Sequence, residues 1–209
     1  MTDKSFYDED YFKGRKGKSN YTEDYWDWGK KALTYQNEAR RMIELFKPMS
    51  VLECGCALGF FVRAFRDLGV EAYGIDISKW AVDHVHSSIR DFVWQHTLGE
   101  KEIPFHMQFD LTLCIDVLEH ITDLEPHWYC SKAIQDVCRA TNKYVIVQMP
   151  CAVDENEPMD QTNRSTDKSH CNIRQPAYWC DRFFHEGFIL NQATRLTDHD
   201  YNFVFERKA

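Results

Sequence analysis

Residues 50–59, SVLECGCALG, decide the fold class of this chain. A short apolar run ends at Glu53 and passes directly into a turn that carries glycines at positions 55 and 59. Such a run is typical of a buried strand. Apolar residues then recur at helical spacing as far as Leu68, where Gly69 can end a helix. The stretch therefore predicts a strand, a glycine-containing turn and a helix, which is the order in which α/β proteins bind nucleotides.

Further strands and helices alternate on both sides of this stretch. Strands are predicted at residues 50–53, 70–77, 92–98, 109–115 and 143–149, and a closing pair at 189–195 and 201–207 with a hairpin at 198–200. Helices are predicted at residues 33–46, 60–68, 131–141 and 178–185, after Ser78 and after Asp116. This alternation predicts an α/β fold with a doubly wound parallel sheet and helices on both faces.

Composition narrows the functional class. The chain has 209 residues, of which 44% are hydrophobic and 28% charged, as expected for one globular domain. Its net charge of −8 argues against general nucleic-acid binding. The sequence contains no apolar run long enough for a membrane span, and its acidic start does not resemble a secretory signal, so we expect a cytoplasmic protein. The 8 cysteines lack paired C-x-x-C motifs, which argues against structural zinc and favours buried, reduced thiols.

Two acidic residues limit the ligand that the turn could bind. Glu53 precedes G-x-x-x-G, whereas a dinucleotide site needs G-x-G-x-x-G, so a nicotinamide dehydrogenase is disfavoured. An acid at the strand end repels a diphosphate and suits a cationic ligand such as an amine or a sulfonium. Asp76 ends the second predicted strand and could accept hydrogen bonds from a ribose diol. These features favour a positively charged nucleoside without phosphates, such as S-adenosylmethionine; the alternative is that both acids are ordinary caps.

Three motifs together resemble a known family. VLECGCALG at 51–59, EAYGIDIS at 71–78 and FDLTLCIDVLEHI at 109–121 occur in the order and spacing of the class I S-adenosylmethionine-dependent methyltransferases. The resemblance covers about residues 40–150. It implies a Rossmann-like sheet of seven strands in which the last strand is inserted antiparallel. One departure is Ala57, where the family often has a further glycine.

The resemblance implies positions for the cofactor. Glu53, Gly55 and Gly59, with Cys56 in the same turn, would lie along the methionine part of the cofactor. Asp76 would hold the ribose hydroxyls, Ile77 would flank the adenine, and Thr97 and Leu98 would lie near the adenine ring. Ile115 and Asp116 would lie near the methionine amine.

A second group of residues follows the fourth predicted strand. Asp116, Glu119 and His120 share one face if the segment is helical, at the sheet edge where open α/β proteins bind ligands. Such a group can act as a general base or hold a divalent cation. We consider His120, Glu119 and His170 the catalytic candidates, with either histidine as the base. The alternatives are that Glu119 and His120 support the helix and that His170 is a solvated residue of the long predicted loop, 152–172.

The D-x-x-E-H segment with a later histidine also resembles two metal-using branches of the family. These are the ubiquinone-biosynthesis O-methyltransferases and the small-RNA 3′-end 2′-O-methyltransferases. The resemblance implies a metal set of Asp116, Glu119, His120 and His170, with Mg²⁺ as the candidate ion. The first position is Asp here and Glu in those branches.

Residues 1–35 are rich in aromatic and charged side chains. The resemblance implies that they form a lid over a methyltransferase domain at 36–209, with Tyr11, Tyr21 and Tyr25 as acceptor-binding candidates; the alternative is that these rings pack the following helix onto the sheet. A basic run within the lid could meet a phosphate or an acidic sugar, or could be a solvated loop: Lys13, Arg15, Lys16 and Lys18.

A looser similarity concerns the C-terminal part. The pattern H-x-x-x-R-x-x-x-x-W that begins at His170 is similar to small methyltransferases of glycan and natural-product pathways, and adds Arg174 and Trp179 as acceptor candidates. We therefore expect methyl transfer to an oxygen of a small polar molecule, such as a sugar or a natural-product hydroxyl. The alternatives are a metal-assisted 2′-O-methyltransferase of RNA ends, which the net charge disfavours, and an inactive cofactor-binding partner subunit. The sequence gives no indication of the oligomeric state.

Overall fold

A seven-stranded sheet forms the centre of the computed structural model, which describes residues 4–123, 128–152, 169–195 and 200–209. The strands are β1 (Ser50–Cys54), β2 (Glu71–Asp76), β3 (Val93–Gln95), β4 (Phe109–Ile115), β5 (Thr141–Pro150), β6 (Phe188–Arg195) and β7 (Asp200–Arg207). Their spatial order is β3-β2-β1-β4-β5-β7-β6. The first five pair in parallel, and β7 lies antiparallel between β5 and β6. The predicted doubly wound α/β fold with seven strands is confirmed.

Six α-helices flank the sheet in the described part of the chain: α1 (Glu9–Phe12), α2 (Trp28–Phe46), α3 (Phe60–Asp67), α4 (Lys79–Asp83), α5 (Tyr129–Ala140) and α6 (Pro176–His185). Side-chain caps explain two of their starts. The Asp27 carboxylate accepts from the Gly29 N–H at α2, and the Ser78 hydroxyl accepts from the Ala81 N–H at α4. Short 3₁₀ turns cover Lys4–Phe6, Arg15–Gly17, Ser87–Phe92 and Leu118–His120.

The sheet separates two apolar cores. Successive residues of β1 point to opposite faces, so that Leu52 packs with α5 and α6, whereas Val51 packs with α2 and α3. Burial on both faces explains why the parallel strands read as continuous apolar runs. The layers hold the carboxyl ends of β1, β2 and β4 at one edge of the sheet.

Several predicted boundaries differ from the structure. The helix predicted from residue 33 begins at Trp28, because Asp27 caps it, so the lid boundary predicted at residue 35 falls inside α2. Residues 4–27, which precede α2, form the N-terminal segment. The third strand is shorter than predicted, at Val93–Gln95. Residues 198 and 199 of the predicted hairpin turn and residues 153–168 of the predicted loop lie outside the described residues, whereas Asp200 begins β7.

The helix predicted after Asp116 is wrong. The backbone of Asp116 is left-handed, with φ at 53°, and only one 3₁₀ turn follows, at Leu118–His120. Asp116 therefore does not share a helix face with Glu119 and His120. No helix in the described part of the chain is both long and apolar enough to span a membrane.

Candidate functional site

The turn after β1 approaches the end of β2 closely. The N–H groups of Gly55 and Cys56 both donate to the Ile75 carbonyl, at 2.8 and 3.1 Å. Gly55 has φ at 73°, and a Cβ built on it would lie 2.3 Å from Cγ2 of Val117. Only glycine can adopt this positive φ without placing a Cβ against the side chain of Val117. The turn thus leaves its backbone open at the edge of a cavity.

Asp76 ends β2 at the same cavity. Its carboxylate accepts from the Ala57 N–H at 2.8 Å and from the Ser78 N–H at 2.7 Å. Burial raises the pKa of Asp76 to about 6, against the opposing effect of these two hydrogen bonds. Asp76 is therefore a buried carboxyl whose position is fixed by the turn after β1 and by the start of α4.

Glu53 is the second buried acid of the cavity. Its Oε2 accepts from the Val62 N–H at 3.3 Å, in the first turn of α3, where backbone donors lack helical partners. Burial raises the pKa of Glu53 well above its usual range, and the nearby Asp76 adds to the effect. The two acids lie at the ends of adjacent strands, as the sequence predicted.

Nine of the ten predicted cofactor positions line one cavity: Glu53, Gly55, Cys56, Asp76, Ile77, Thr97, Leu98, Ile115 and Asp116. Gly59, the tenth, does not line it. A Cβ on Gly59, the N-cap of α3, would lie 2.6 Å from Cδ1 of Ile89, so this glycine allows the 3₁₀ turn at Ser87–Phe92 to pack closely against the start of α3. Sequence reasoning missed two residues of the lining on the β3 side, His96 and Glu100.

Aromatic residues of the N-terminal segment line the cavity together with the strand ends: Tyr7, Tyr11, Phe12, Tyr21, Tyr25 and Trp26. They pack on one another, with ring centroids 4.8 Å apart for Tyr7 and Tyr11 and 4.5 Å apart for Tyr21 and Tyr25. Two polar contacts fasten the segment to the domain. The Ser78 hydroxyl donates to the Tyr7 carbonyl, and Lys4 pairs with Glu100 at 2.8 Å.

Three of the five acceptor candidates reach the cavity, namely Tyr11, Tyr21 and Tyr25. Trp179 and Arg174 do not line it. Trp179 is 0% exposed and packs in the core formed with α5, so its side chain contributes to the core and does not face the cavity. Arg174 donates to the Asn172 side chain at 3.1 Å, and its guanidinium lies 5.1 Å from the centre of the Tyr178 ring.

Glu119, His120 and His170 form a cluster beside the cavity. One ligand atom from each lies within 4.8 Å of the others. Oε1 of Glu119 is 3.9 Å from Nε2 of His120 and 4.0 Å from Nε2 of His170. Glu119 is fully buried, whereas His120 lines the cavity. Asp116, which the sequence placed in the same metal set, is not a member of this cluster.

Residues 169–172 contact this cluster directly. Oγ of Ser169 lies 2.8 Å from Nδ1 of His120. The N–H groups of Cys171 and Asn172 donate to the Glu119 carbonyl, at 2.9 and 3.0 Å. Sequence reasoning identified His170 from this segment and missed Ser169, because nothing in the spacing relates it to His120.

The basic run of the N-terminal segment is paired with acids of the same segment. Lys13 lies 2.8 Å from Glu9, Lys16 lies 2.6 Å from Asp10, and Lys18 lies 2.7 Å from Asp8. Arg15 pairs with Glu23. The expectation that this run could meet a phosphate therefore has no support in the geometry.

The chain is similar to known proteins both in sequence and in structure. The family model described as a methyltransferase domain matches residues 28–192. The ubiquinone biosynthesis O-methyltransferase of Azoarcus sp. strain BH72 is 32% identical over 80 residues, 36% of this chain and 34% of that protein. The enzyme of the same name from Aromatoleum aromaticum is 31% identical over 87 residues, 35% of this chain and 33% of that protein. The chain thus spans about a third of the length of these curated relatives.

Solved structures share the fold. The PH0226 protein of Pyrococcus horikoshii has a TM-score of 0.68 at 16% identity, over 95% of this chain and 98% of that one. The YcgJ protein of Bacillus subtilis has a TM-score of 0.66 at 17% identity, over 83% and 99% of the two chains. Magnesium protoporphyrin IX methyltransferase from Synechocystis, solved with bound SAH, has a TM-score of 0.61 at 14% identity, over 85% and 83%. At these identities the likeness establishes the fold alone.

Proposed function

Because the chain belongs to the class I S-adenosylmethionine-dependent methyltransferase family, whose methyltransferase-domain model matches residues 28–192, we propose that it methylates an oxygen of a small polar molecule. A sugar or another natural-product hydroxyl is the acceptor class that we favour. The observation that carries the proposal is that nine of the ten predicted cofactor positions and His120 line the same cavity.

The residues at this cavity suit S-adenosylmethionine. Two buried carboxylates, Glu53 and Asp76, lie at adjacent strand ends, and Gly55 keeps the backbone between them accessible. None of the described side chains that line the cavity is a lysine or an arginine that would hold a diphosphate. Asp76 would accept hydrogen bonds from the ribose diol, and Glu53 would face the cationic part of the ligand. When bound, the cofactor supplies an activated methyl group on a sulfonium.

The chain's own residues then have two tasks. The strand ends and the aromatic N-terminal segment would hold cofactor and acceptor in line, which is the main source of rate in a displacement of this kind. His120 would accept the hydroxyl proton at Nε2 while the acceptor oxygen forms its bond to the methyl carbon and the carbon–sulfur bond breaks. Ser169 contacts Nδ1, so it would fix the orientation of the ring. Glu119 would stabilise the protonated imidazole from 3.9 Å.

A second candidate, metal-assisted methylation of an RNA 3′ end, is favoured by the Glu119–His120–His170 cluster. Two ligands about 2.1 Å from one tetrahedral ion lie about 3.4 Å apart, so the cluster atoms, at 3.9 and 4.0 Å, would have to move slightly closer together to hold an ion. These three residues would hold it, and the ion would polarise the acceptor hydroxyl. Two imidazoles and one carboxylate suit Mn²⁺, Fe²⁺, Co²⁺ or Zn²⁺ better than Mg²⁺, which prefers oxygen ligands. The paired basic run and the net charge of −8 argue against RNA.

Calorimetric titration of chelator-stripped protein with S-adenosylhomocysteine tests the cofactor assignment. We expect binding that is weakened at least tenfold in Asp76→Asn and unchanged in Asp91→Asn, an exposed aspartate beside β3. Absence of binding by the unmutated protein would overturn the proposal. Repeating the titration with Mg²⁺ and with Mn²⁺ shows whether an ion contributes. Transfer of a radiolabelled methyl group to any hydroxyl acceptor then separates an enzyme from an inactive cofactor-binding subunit.

A further inference from the structure

The ring of Tyr7, in the N-terminal segment, contacts the imidazole of His120. The two ring centroids lie 6.1 Å apart and the ring planes are perpendicular, which is an edge-to-face contact. Tyr7 is buried, and its ring also packs on those of Phe6 and Tyr11, with centroids 5.4 and 4.8 Å away. Because these neighbours hold the Tyr7 ring in place, that ring limits how far the imidazole can rotate.

The imidazole of His120 is contacted by two separate parts of the chain. Oγ of Ser169 lies 2.8 Å from Nδ1, and the centroid of the His170 ring lies 4.7 Å from that of His120. Both contacts come from residues 169–172, whereas Tyr7 belongs to the N-terminal segment. Loss of the contact with Tyr7 would therefore leave one side of the imidazole less restrained while the contact at Nδ1 remains.

Ser78 joins the backbone of Tyr7 to a predicted cofactor position. Its buried hydroxyl donates to the Tyr7 carbonyl, 71 residues away in sequence, and its N–H donates to Oδ1 of Asp76 at 2.7 Å. The same hydroxyl accepts from the Ala81 N–H at 3.1 Å, where it caps α4. Hydrogen bonds in a buried position are strong and hold their partners in one arrangement. The carboxyl assigned to the ribose diol is thus connected through one residue to the backbone of Tyr7.

A ligand in the cavity would stabilise this arrangement. Tyr7 lines the cavity together with Asp76 and Ile77, so a ligand between them would contact the N-terminal segment and the sheet edge at once. Such a ligand favours the docked segment over any arrangement that lacks these contacts. The Lys4–Glu100 ion pair also fastens the segment, but the Lys4 side chain is 45% exposed, and a pair of this kind contributes little.

We propose that Tyr7 is a positioning residue for the imidazole of His120, and that Ser78 makes this positioning depend on occupation of the cofactor cavity. The proposal rests on the function proposed above, in which His120 is the base. The bound cofactor would hold the N-terminal segment on the domain, and the ring of Tyr7 would then hold the imidazole. Tyr7 itself takes no part in proton transfer.

The mobility of the His120 imidazole tests the role of Tyr7. Histidine-labelled protein is measured by ¹³C NMR relaxation, without ligand and saturated with S-adenosylhomocysteine, and His120→Gln assigns the signal. Tyr7→Leu removes the ring and keeps the carbonyl that Ser78 contacts. We expect the order parameter of the imidazole Cε1–H bond at saturation to fall from about 0.85 to below about 0.6 in this variant, and to fall also without ligand.

Tyr25→Leu is the matched control for Tyr7→Leu. Tyr25 lines the same cavity, but its described ring contacts are with Tyr21 and Trp26, so the imidazole should remain as ordered as in the unmutated protein. An order parameter in Tyr7→Leu equal to that of the unmutated protein overturns the positioning role, as does an equal fall in Tyr25→Leu.

Hydrogen exchange tests the dependence on the cofactor cavity. In the unmutated protein we expect S-adenosylhomocysteine to slow amide exchange in residues 4–27 by about tenfold or more and to raise the order of the imidazole. Ser78→Ala should lose both responses at saturating ligand, and amide exchange in α4 reports separately on the lost cap. Lys4→Ala removes the partly exposed ion pair and should keep both responses.

Responses in Ser78→Ala that equal those of the unmutated protein overturn the dependence on the cofactor cavity. Failure of S-adenosylhomocysteine to bind the unmutated protein is a separate result that removes the proposed function, because the effect of Tyr7→Leu on His120 is also measured without ligand.

Discussion

Oγ of Ser169 lies 2.8 Å from Nδ1 of His120, although 49 residues separate them in sequence. The contact ties the segment after the long loop to the 3₁₀ turn that follows β4. It also distinguishes the two ring nitrogens of His120, because Nδ1 meets the serine hydroxyl and Nε2 points towards Oε1 of Glu119, 3.9 Å away. For Nε2 to act as the base, Nδ1 must carry the proton and donate it to the Ser169 hydroxyl oxygen. Ser169 is thus a positioning residue for the imidazole that we propose as the base.

Ser169→Ala should loosen this imidazole without unfolding the protein. We expect ¹⁵N NMR to show His120 as a mixture of tautomers in the variant and as one neutral tautomer in the unmutated protein, with methyl transfer reduced by about tenfold. Ser87→Ala, at an exposed position, is the control and should change neither measurement. An identical imidazole spectrum and an unchanged rate in Ser169→Ala would remove the positioning role.

Cofactor affinity should depend on pH through Asp76. Burial raises the pKa of this carboxyl to about 6, so below that pH it holds a proton and cannot accept two hydrogen bonds from a ribose diol. We expect the Kd for S-adenosylhomocysteine to fall as the pH rises from roughly 5 to 7, by up to tenfold for each unit below 6. Stability of the unliganded protein should change in the opposite sense. The protonated carboxyl stabilises the fold below the unfolded pKa near 3.8, and this contribution is lost as the pH rises through about 6.

Asp76→Asn is the control for this pH dependence. Glu53 also has a raised pKa, so part of the dependence should remain in the variant, and the difference between the two curves belongs to Asp76. Parallel curves for the variant and the unmutated protein would show that Asp76 does not contact the ligand.

Two glycines with similar backbone angles should respond differently to alanine. Gly55 and Gly69 have φ at 73° and 83°, but a Cβ on Gly55 meets Val117 at 2.3 Å, whereas a Cβ on Gly69 has nothing within 4 Å. We expect Gly69→Ala to lower the free energy of unfolding by about 1 kcal/mol and to leave ligand binding intact. Gly55→Ala should lose more stability and most of its affinity for S-adenosylhomocysteine, and Val117→Ala should partly restore the stability of the double variant. Urea denaturation and calorimetry measure both effects; equal losses in the two single variants would contradict the close approach.

The sheet could be predicted because the central parallel strands are largely buried on both faces, as in β1, where all five residues are buried, and are therefore mostly apolar. The strand-end residues that line the cavity could be predicted because they directly follow those strands in the sequence. Glu53 and Asp76 follow from this position alone.

The other features of the site depend on three-dimensional contacts that the spacing of residues along the sequence does not predict. The predicted helix at Asp116 fails because one left-handed residue redirects the chain before the 3₁₀ turn. Trp179 had the pattern of an acceptor residue, yet the face of α6 that carries it packs into the core. Ser169 reaches His120 only through the way residues 169–172 dock on Glu119.

The Glu119–His120–His170 cluster should discriminate among divalent ions. Because two of its three ligand atoms are imidazole nitrogens, we expect Co²⁺ to bind chelator-stripped protein more tightly than Mg²⁺ and to develop visible absorption bands. His170→Ala should remove those bands, whereas His185→Ala, at an exposed histidine of α6, should not. Bands that persist in His170→Ala would place the ion elsewhere.

Replacing Trp179 should affect stability and leave acceptor recognition unchanged. Its side chain is 0% exposed and packs in the same core as Phe183 and Phe205, so Trp179→Ala should lower the free energy of unfolding by about 3–5 kcal/mol. Trp179→Phe keeps most of the buried ring and should lose less, which leaves a folded protein in which binding can be measured. We expect that variant to bind S-adenosylhomocysteine as the unmutated protein does. Tyr25→Ala should do the reverse, with little loss of stability and slower methyl transfer to a hydroxyl acceptor, because this half-buried ring lines the cavity. Loss of methyl transfer in a fully folded Trp179→Phe that still binds S-adenosylhomocysteine would return Trp179 to the acceptor site that its sequence pattern suggested.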